Sequence, residues 1–164
     1  IQTSLVGSEM CIRDRRMSNP PSEYDAGPPT ERVMVYRGRN SRYFNVARKA
    51  ALCSAQSDYK HGAVLVKGGS VINTSCNKNR RVSFGSRFCK DHDGIATLHA
   101  ELGAILGLER SVTEGATLYV ARVGKDGGFR LSKPCSMCTA AMQHVGIKRV
   151  YWTIDNHNCA MGKL

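Results

Sequence analysis

The sequence lacks any long apolar run, although 41% of its 164 residues are hydrophobic. A helix that crosses a bilayer needs about 20 consecutive, mostly apolar residues. A membrane-spanning protein is therefore excluded, and we expect no membrane partner. The opening residues also lack the basic start and apolar centre of a secretory signal peptide, so we expect no targeting signal in them.

The chain also lacks the cysteine pattern of a disulfide framework. Its seven cysteines are odd in number and irregularly spaced, unlike those of small secreted scaffolds. We expect a cytoplasmic protein with one folded domain over residues 33–164, which is long enough to bury a core without disulfides. Residues 1–32 are expected to be a disordered or non-native tail, with Met17 a better natural start. We leave open that the C-terminus is incomplete.

Acidic side chains are scarce. Residues 31–164 carry 21 basic and 9 acidic side chains, a net charge of +12, and the whole chain has a net charge of +11. Such a charge favours anionic partners but does not indicate a fold. A nucleotide, a single-stranded nucleic acid and a merely basic, soluble surface are all compatible with it.

The pattern of apolar and turn-forming residues predicts alternating helices and strands. Helices are expected over 42–55, 97–110 and 135–145, and strands over 63–66, 71–75, 116–123 and 148–154. The first two strands form a hairpin around a glycine turn. The stretch 77–96 is a long, polar, basic segment in this interpretation. This order predicts an α/β fold in which helices cover both faces of a mixed sheet.

Two short motifs carry the chemistry. One is His99-Ala100-Glu101, and the other is Pro134-Cys135-Ser136-Met137-Cys138. Two cysteines three residues apart at a helix start point both sulfurs to one side, near backbone N–H groups that favour thiolates. Together with His99 they supply three zinc-type ligands, which leaves one position of a tetrahedral ion for water, as in catalytic sites.

Glu101 distinguishes a catalytic site from a structural zinc clip, because a clip has no need of a free carboxylate beside its ligands. A carboxylate in that place can move protons between water, a ring nitrogen and a departing amine. A structural zinc knuckle remains the alternative. Cys89 and His92 could in addition form a second metal pair, or be an ordinary Cys and His in a polar loop.

Residues from about 41 to 160 resemble the cytidine and deoxycytidylate deaminase superfamily, in the branch that holds deoxycytidylate deaminases and tRNA adenosine deaminases. The resemblance implies a three-layer α/β/α fold with zinc on His99, Cys135 and Cys138, and Glu101 as the proton shuttle. It also implies substrate contacts, with Asn77 at the sugar and Ala63 at the base. The remaining candidate substrate contacts are Ala100 and Pro134.

The sequence departs from the pattern of this superfamily in two respects. Lys78 follows Asn77 where some deoxycytidylate deaminases have glycine, and the chain ends earlier than tRNA adenosine deaminases do. Members of the superfamily occur as monomers, dimers and hexamers, so a homo-oligomer is left open.

Three functions follow from these observations. The first is a zinc-dependent hydrolytic deaminase that converts cytosine to uracil in a deoxycytidylate-like nucleotide, as in nucleotide metabolism. The second is a cytosine or adenine deaminase that acts on single-stranded DNA or on RNA, including tRNA. In it, Phe84 and Phe88 would stack on bases beside the basic residues of 80–90, unless the two rings dock into the core. The third is a non-catalytic, zinc-stabilised nucleic-acid-binding module.

Overall fold

The computed structural model describes residues 32–35, 39–89 and 96–164. The elements in chain order are β1 (Arg32–Val35), α1 (Arg39–Leu52), β2 (Lys60–Lys67), β3 (Ser70–Cys76), β4 (Lys78–Arg81), α2 (Ser83–Ser86), β5 (Thr97–Leu98), α3 (Ala100–Ile105), α4 (Arg110–Thr113), β6 (Thr117–Val123), β7 (Phe129–Arg130), α5 (Ser136–His144), β8 (Arg149–Thr153) and β9 (Asn158–Lys163). The tail predicted over 1–32 lies outside the described residues except for Arg32, which begins β1.

Within the described residues, seven strands form one mixed sheet in the order β1-β9-β8-β6-β2-β3, with β7 paired to β6. The β6–β8 pair is parallel, and the other pairs are antiparallel. In the middle of the sheet, Ala63 of β2 stands opposite Val120 of β6, which stands opposite Trp152 of β8. Strands β4 and β5 form a separate antiparallel pair.

The two faces of the sheet carry different helices. Side chains alternate along β2, and Val64 and Val66 pack in the cluster that contains α1 residues. Ala63 and Leu65 pack in the cluster that contains residues of α3 and α5. At Gly62, an added Cβ would collide with the backbone of α1, so that helix lies directly on β2. The three-layer α/β/α arrangement with a mixed sheet is therefore confirmed.

Most of the predicted elements are present. The hairpin of β2 and β3, the strands β6 and β8, and the helices α1 and α5 lie within a few residues of their expected positions. Gly146, with φ of 81°, follows the end of α5, and its left-handed backbone explains why the helix stops there. No helix within the described ranges is long and apolar enough to span a membrane.

The single helix predicted over 97–110 is wrong. Thr97 and Leu98 form β5, and α3 covers Ala100–Ile105 alone. Leu106 takes an extended conformation and Gly107 has φ of 75°, which breaks the helical path. The expectation that His99 lies in the first helical turn is corrected in the same way, because His99 is the residue that precedes the helix.

Two strands that the sequence pattern does not predict, β1 and β9, lie near the two ends of the described chain. Strand β9 pairs with β8 on one side and with β1 on the other, although residues 155–164 include no β-branched residue. The stretch 77–96, expected to be a long, polar, basic segment, contains β4 and the short helix α2.

Candidate metal centre

The metal-type ligands lie where two helices begin. His99 immediately precedes α3 and Cys135 immediately precedes α5, and both have extended backbones. Cys138 follows in the first turn of α5. Because α3 and α5 pack against each other on one face of the sheet, their starts bring the three side chains together. The start of a helix also carries a positive dipole end, which favours the thiolate form of the cysteines.

The three donor atoms are close enough for one ion. The Nδ1 atom of His99 lies 3.3 Å from Sγ of Cys138 and 3.7 Å from Sγ of Cys135, and all three donors lie within 4.8 Å of one another. Each side chain is at most 2% exposed. One imidazole and two thiolates are donors that zinc prefers, so the residues fit a zinc ion, and three ligands leave a fourth position for a small molecule.

Glu101 lies beside these donors without belonging to the set. It is 3% exposed, and burial raises the pKa of its carboxyl to about 7, with an opposing effect from His99 and a smaller raising effect from Cys135. A hydrogen bond with Cys138 also lowers this pKa. A carboxyl group with a pKa near neutrality can both take and give protons.

The other candidate substrate residues lie in the buried interior near this centre. Ala63 of β2 and Ala100 of α3 are fully buried in the same apolar cluster as Cys135, and Pro134 is buried immediately before that cysteine. Their contact with a substrate stays a prediction.

Asn77 is buried, and its side chain bonds to the backbone of the same protein. Its Oδ1 accepts a hydrogen bond of 2.9 Å from the N–H of His61, and its Nδ2 donates one of 2.7 Å to the carbonyl of Tyr59. Its own N–H donates to the carbonyl of His61 at 3.2 Å. Asn77 thus fixes the start of β2, and its expected contact with a sugar stays a prediction.

His61 is a residue near the centre that belongs to neither of the two motifs. It is 3% exposed. Burial lowers the pKa of its ring to about 3, with smaller lowering effects from His99 and Arg122 and a raising effect from Cys135. A signal was present in the sequence, since a histidine beside Gly62 interrupts the apolar strand pattern. The sequence pattern predicts a strand that begins only at Ala63, which leaves His61 outside it.

Two other predictions concern the segment after Asn77. Cys89 is buried, and His92, its expected partner in a second metal pair, lies outside the described residues. Phe88 is 7% exposed and contacts Phe84 edge-to-face at 5.4 Å between ring centroids. Both rings pack on the main apolar cluster, so of the two alternatives for these phenylalanines the structure shows docking into the core.

A comparison with known families agrees with this geometry. The family model for the cytidine and deoxycytidylate deaminase zinc-binding region matches residues 38–154. The chain belongs to this family. The matched range contains the two cysteines, His99 and Glu101, so zinc is the metal that the His-Cys-Cys group is arranged to bind.

Individual relatives cover parts of the chain. It is 35% identical over 97 residues to a tRNA-specific adenosine deaminase of Agrobacterium fabrum (strain C58 / ATCC 33970), which is 56% of this chain and 49% of that protein. The chain thus spans about half the length of this curated relative. Among solved structures, the apo dCMP deaminase from the cyanophage S-TIM5 has a TM-score of 0.49 at 23% identity, over 70% of this chain and 81% of that one. RibD of Acinetobacter baumannii has a TM-score of 0.41 at 21% identity, over 68% of this chain and 27% of that one.

Proposed function

We propose that the chain is a zinc-dependent hydrolytic deaminase that converts cytosine to uracil in a deoxycytidylate-like nucleotide and releases ammonia. The observation that carries the proposal is a buried carboxylate, Glu101, beside a three-donor metal group in a member of the cytidine and deoxycytidylate deaminase family. We assign the activity to residues 33–164 and to a reducing, cytoplasmic setting, in keeping with Cys53, Cys76 and Cys159, which form no disulfide within the described part of the chain.

Different residues have different roles in the proposed reaction. His99, Cys135 and Cys138 would hold the zinc ion, and when bound it would acidify water toward a pKa of about 7, which makes a nucleophile available at neutral pH. Glu101 takes a proton from the attacking water and delivers protons to the ring nitrogen and then to the departing amine. Ala63, Ala100 and Pro134 enclose the base, and burial of the centre keeps bulk water out.

The exposed basic strand β4 favours a second candidate, deamination of a base within single-stranded DNA or RNA. All four residues of Lys78–Arg81 are exposed. The strand pairs with β5, which leads directly into His99. Lysine and arginine side chains in such a position could hold the phosphates of a polynucleotide while one base enters the site. The A. fabrum relative, whose name states a tRNA substrate, is consistent with this candidate.

The two candidates separate when dCMP and a single-stranded oligonucleotide with one cytosine are offered to the zinc-loaded protein in parallel. Uracil from dCMP alone supports the nucleotide substrate, and conversion in the oligonucleotide alone replaces it with the polynucleotide substrate. An adenine-containing oligonucleotide tests the other base. Product from none of the three contradicts the proposal and leaves the non-catalytic module.

A pair of surface variants tests the basic strand itself. If β4 holds phosphates, Arg80→Gln/Arg81→Gln should weaken oligonucleotide binding and reduce its dependence on salt, because fewer counterions are released. Arg42→Gln/Lys49→Gln is the matched control, since both residues are exposed on α1, across the sheet from the metal centre. Equal effects of the two pairs would indicate a merely basic surface.

A further inference from the structure

A short series of backbone contacts connects His61 to the metal centre. Asn77 exchanges hydrogen bonds with the backbone of His61, and the next residue, Lys78, pairs with Leu98, the residue before His99. Side-chain alternation along β2 also places His61 on the same face as Ala63 and Leu65, which is the face covered by α3 and α5. The ring is therefore on the side of the sheet where the metal donors converge.

The hydrogen bonds of His61 determine which ring nitrogen carries the proton. The Nδ1 atom lies 3.3 Å from the carbonyl oxygen of Tyr59. A carbonyl can only accept a hydrogen bond, so Nδ1 must be the protonated nitrogen and Nε2 must present a lone pair. This tautomer is neutral, and Tyr59 holds its orientation.

The Nε2 lone pair is an unused acceptor in the interior. The atom is buried, and no hydrogen-bond donor from the described part of the chain reaches it. Buried polar atoms of this kind are rare and are generally satisfied by a partner. An acceptor whose ring is held by a hydrogen bond at its other nitrogen, on the face of the sheet where the metal donors converge, is suited to a donor group on a substrate.

We infer that Nε2 of His61 accepts a hydrogen bond from the exocyclic amino group of the substrate base. This inference rests on the proposed function. In a nucleotide, the exocyclic amino group is the only N–H donor of a cytosine or an adenine base. The product carries a carbonyl oxygen in its place, and a carbonyl cannot donate to Nε2. His61 would thus favour the amino-bearing substrate over the product.

Two substitutions separate this role from a structural one. His61→Asn places an amide near Nδ1, where it can still donate to Tyr59, but it removes the acceptor at the position of Nε2. His61→Gln can instead present its amide oxygen near that position. The zinc content of both variants, measured with the binding experiment, shows whether the fold and the metal group are retained.

The experiment measures binding rather than turnover, in the zinc-loaded Glu101→Gln background. The probes are dCMP and dUMP, and a short oligonucleotide with one cytosine or one uracil in the same place. We expect His61 to favour the amino-bearing probe, His61→Asn to reduce that preference by about 10- to 100-fold, and His61→Gln to keep most of it. An unchanged ratio of affinities in His61→Asn would overturn the inference while leaving the proposed function intact.

A spectroscopic arm keeps the test valid if His61→Asn does not fold. In the Glu101→Gln protein with 15N-labelled histidine, the lone-pair nitrogen of His61 should shift when dCMP or the cytosine oligonucleotide binds, and less with the uracil counterparts. Binding of a cytosine probe without any such shift would overturn the role of His61. If neither cytosine probe binds at all, the proposed function fails and the inference fails with it.

Discussion

Two hydrogen bonds join Asn77 to the backbone of His61. The N–H of His61 donates to Oδ1 of Asn77 at 2.9 Å, and the N–H of Asn77 donates to the carbonyl of His61 at 3.2 Å. A third bond, from Nδ2 to the carbonyl of Tyr59, fixes the residue that in turn orients the His61 ring. The fully buried side-chain amide of Asn77 therefore fixes where β2 begins, and through Tyr59 it helps to orient the ring of His61.

This relationship predicts that Asn77→Ala destabilises the protein. The substitution leaves the buried N–H of His61 without its acceptor, which should lower the free energy of unfolding by roughly 1–3 kcal/mol. Urea unfolding of the zinc-loaded protein measures this change in the free energy of unfolding. Asn79→Ala, at an exposed position of β4, is the control and should change stability by less than about 0.5 kcal/mol. Equal stability of the two variants would mean that Asn77 serves no structural role.

The metal group predicts that Cys138→Ala loses most of the bound zinc. Two remaining ligands cannot complete the arrangement, and removal of a thiolate donor weakens the site directly. The zinc content of the purified protein, determined by mass spectrometry of the metal, should fall from about one ion per chain to a small fraction. Cys53→Ala removes an exposed thiol and should retain zinc. Retention of a full ion by the Cys138 variant would rule out this ligand set.

Buried His61 predicts a pH dependence of stability. The pKa of its ring is about 3 in the folded protein and 6.5 without perturbation, so below the higher value the unfolded chain binds a proton that the folded chain does not. The contribution is therefore fully present above about pH 6.5 and is lost as the pH falls toward 3, by about 1.4 kcal/mol per pH unit.

The measurement compares the wild type with His61→Gln from about pH 7 to about pH 5. Other titrating groups, including the metal ligands, contribute to both proteins, so the difference in unfolding free energy isolates the histidine. The wild type should lose stability faster on acidification. Parallel curves would show that the ring is not buried as a neutral group.

The segment before Cys135 predicts a positioning role for Ser132. Its hydroxyl donates to the carbonyl of Val120 at 2.9 Å and accepts from the N–H of Thr153 at 2.9 Å, which ties the approach to α5 to two central strands. Ser132→Ala should lower stability by roughly 1–3 kcal/mol and speed the release of zinc to a chelator. Ser57→Ala, at an exposed site, should do neither. An unchanged rate of zinc release in Ser132→Ala would show that the hydrogen bonds of Ser132 do not help to position the metal ligands.

The sequence predicted the parts of the fold that depend on local patterns. Strand β6 is rich in β-prone residues, and α5 begins directly after Pro134 and Cys135, so propensity and position agree there. Strand β9 depends on pairing with both β8 and β1. This pairing is non-local, so the composition of β9 itself does not predict it. The break at Leu106 was missed because the apolar spacing continues through Gly107 to Leu108.

The same distinction applies to the site. The two motifs and their resemblance to the deaminase superfamily bring His99, Cys135, Cys138 and Glu101 into consideration, and the geometry of the three metal donors agrees with that prediction. The unused acceptor on His61 depends on Tyr59 and Asn77, which are joined only by folding. Its significance could not be predicted from spacing, because it arises from the direction of a hydrogen bond.

The most direct test of the central claim is uracil formation by zinc-loaded wild-type protein and by Glu101→Gln, with zinc content measured on the same samples. If Glu101 transfers the protons, the variant should keep about one zinc ion per chain and lose product formation by a factor of about 100 or more. Undiminished product from a zinc-loaded Glu101→Gln protein would contradict the mechanism proposed for this chain.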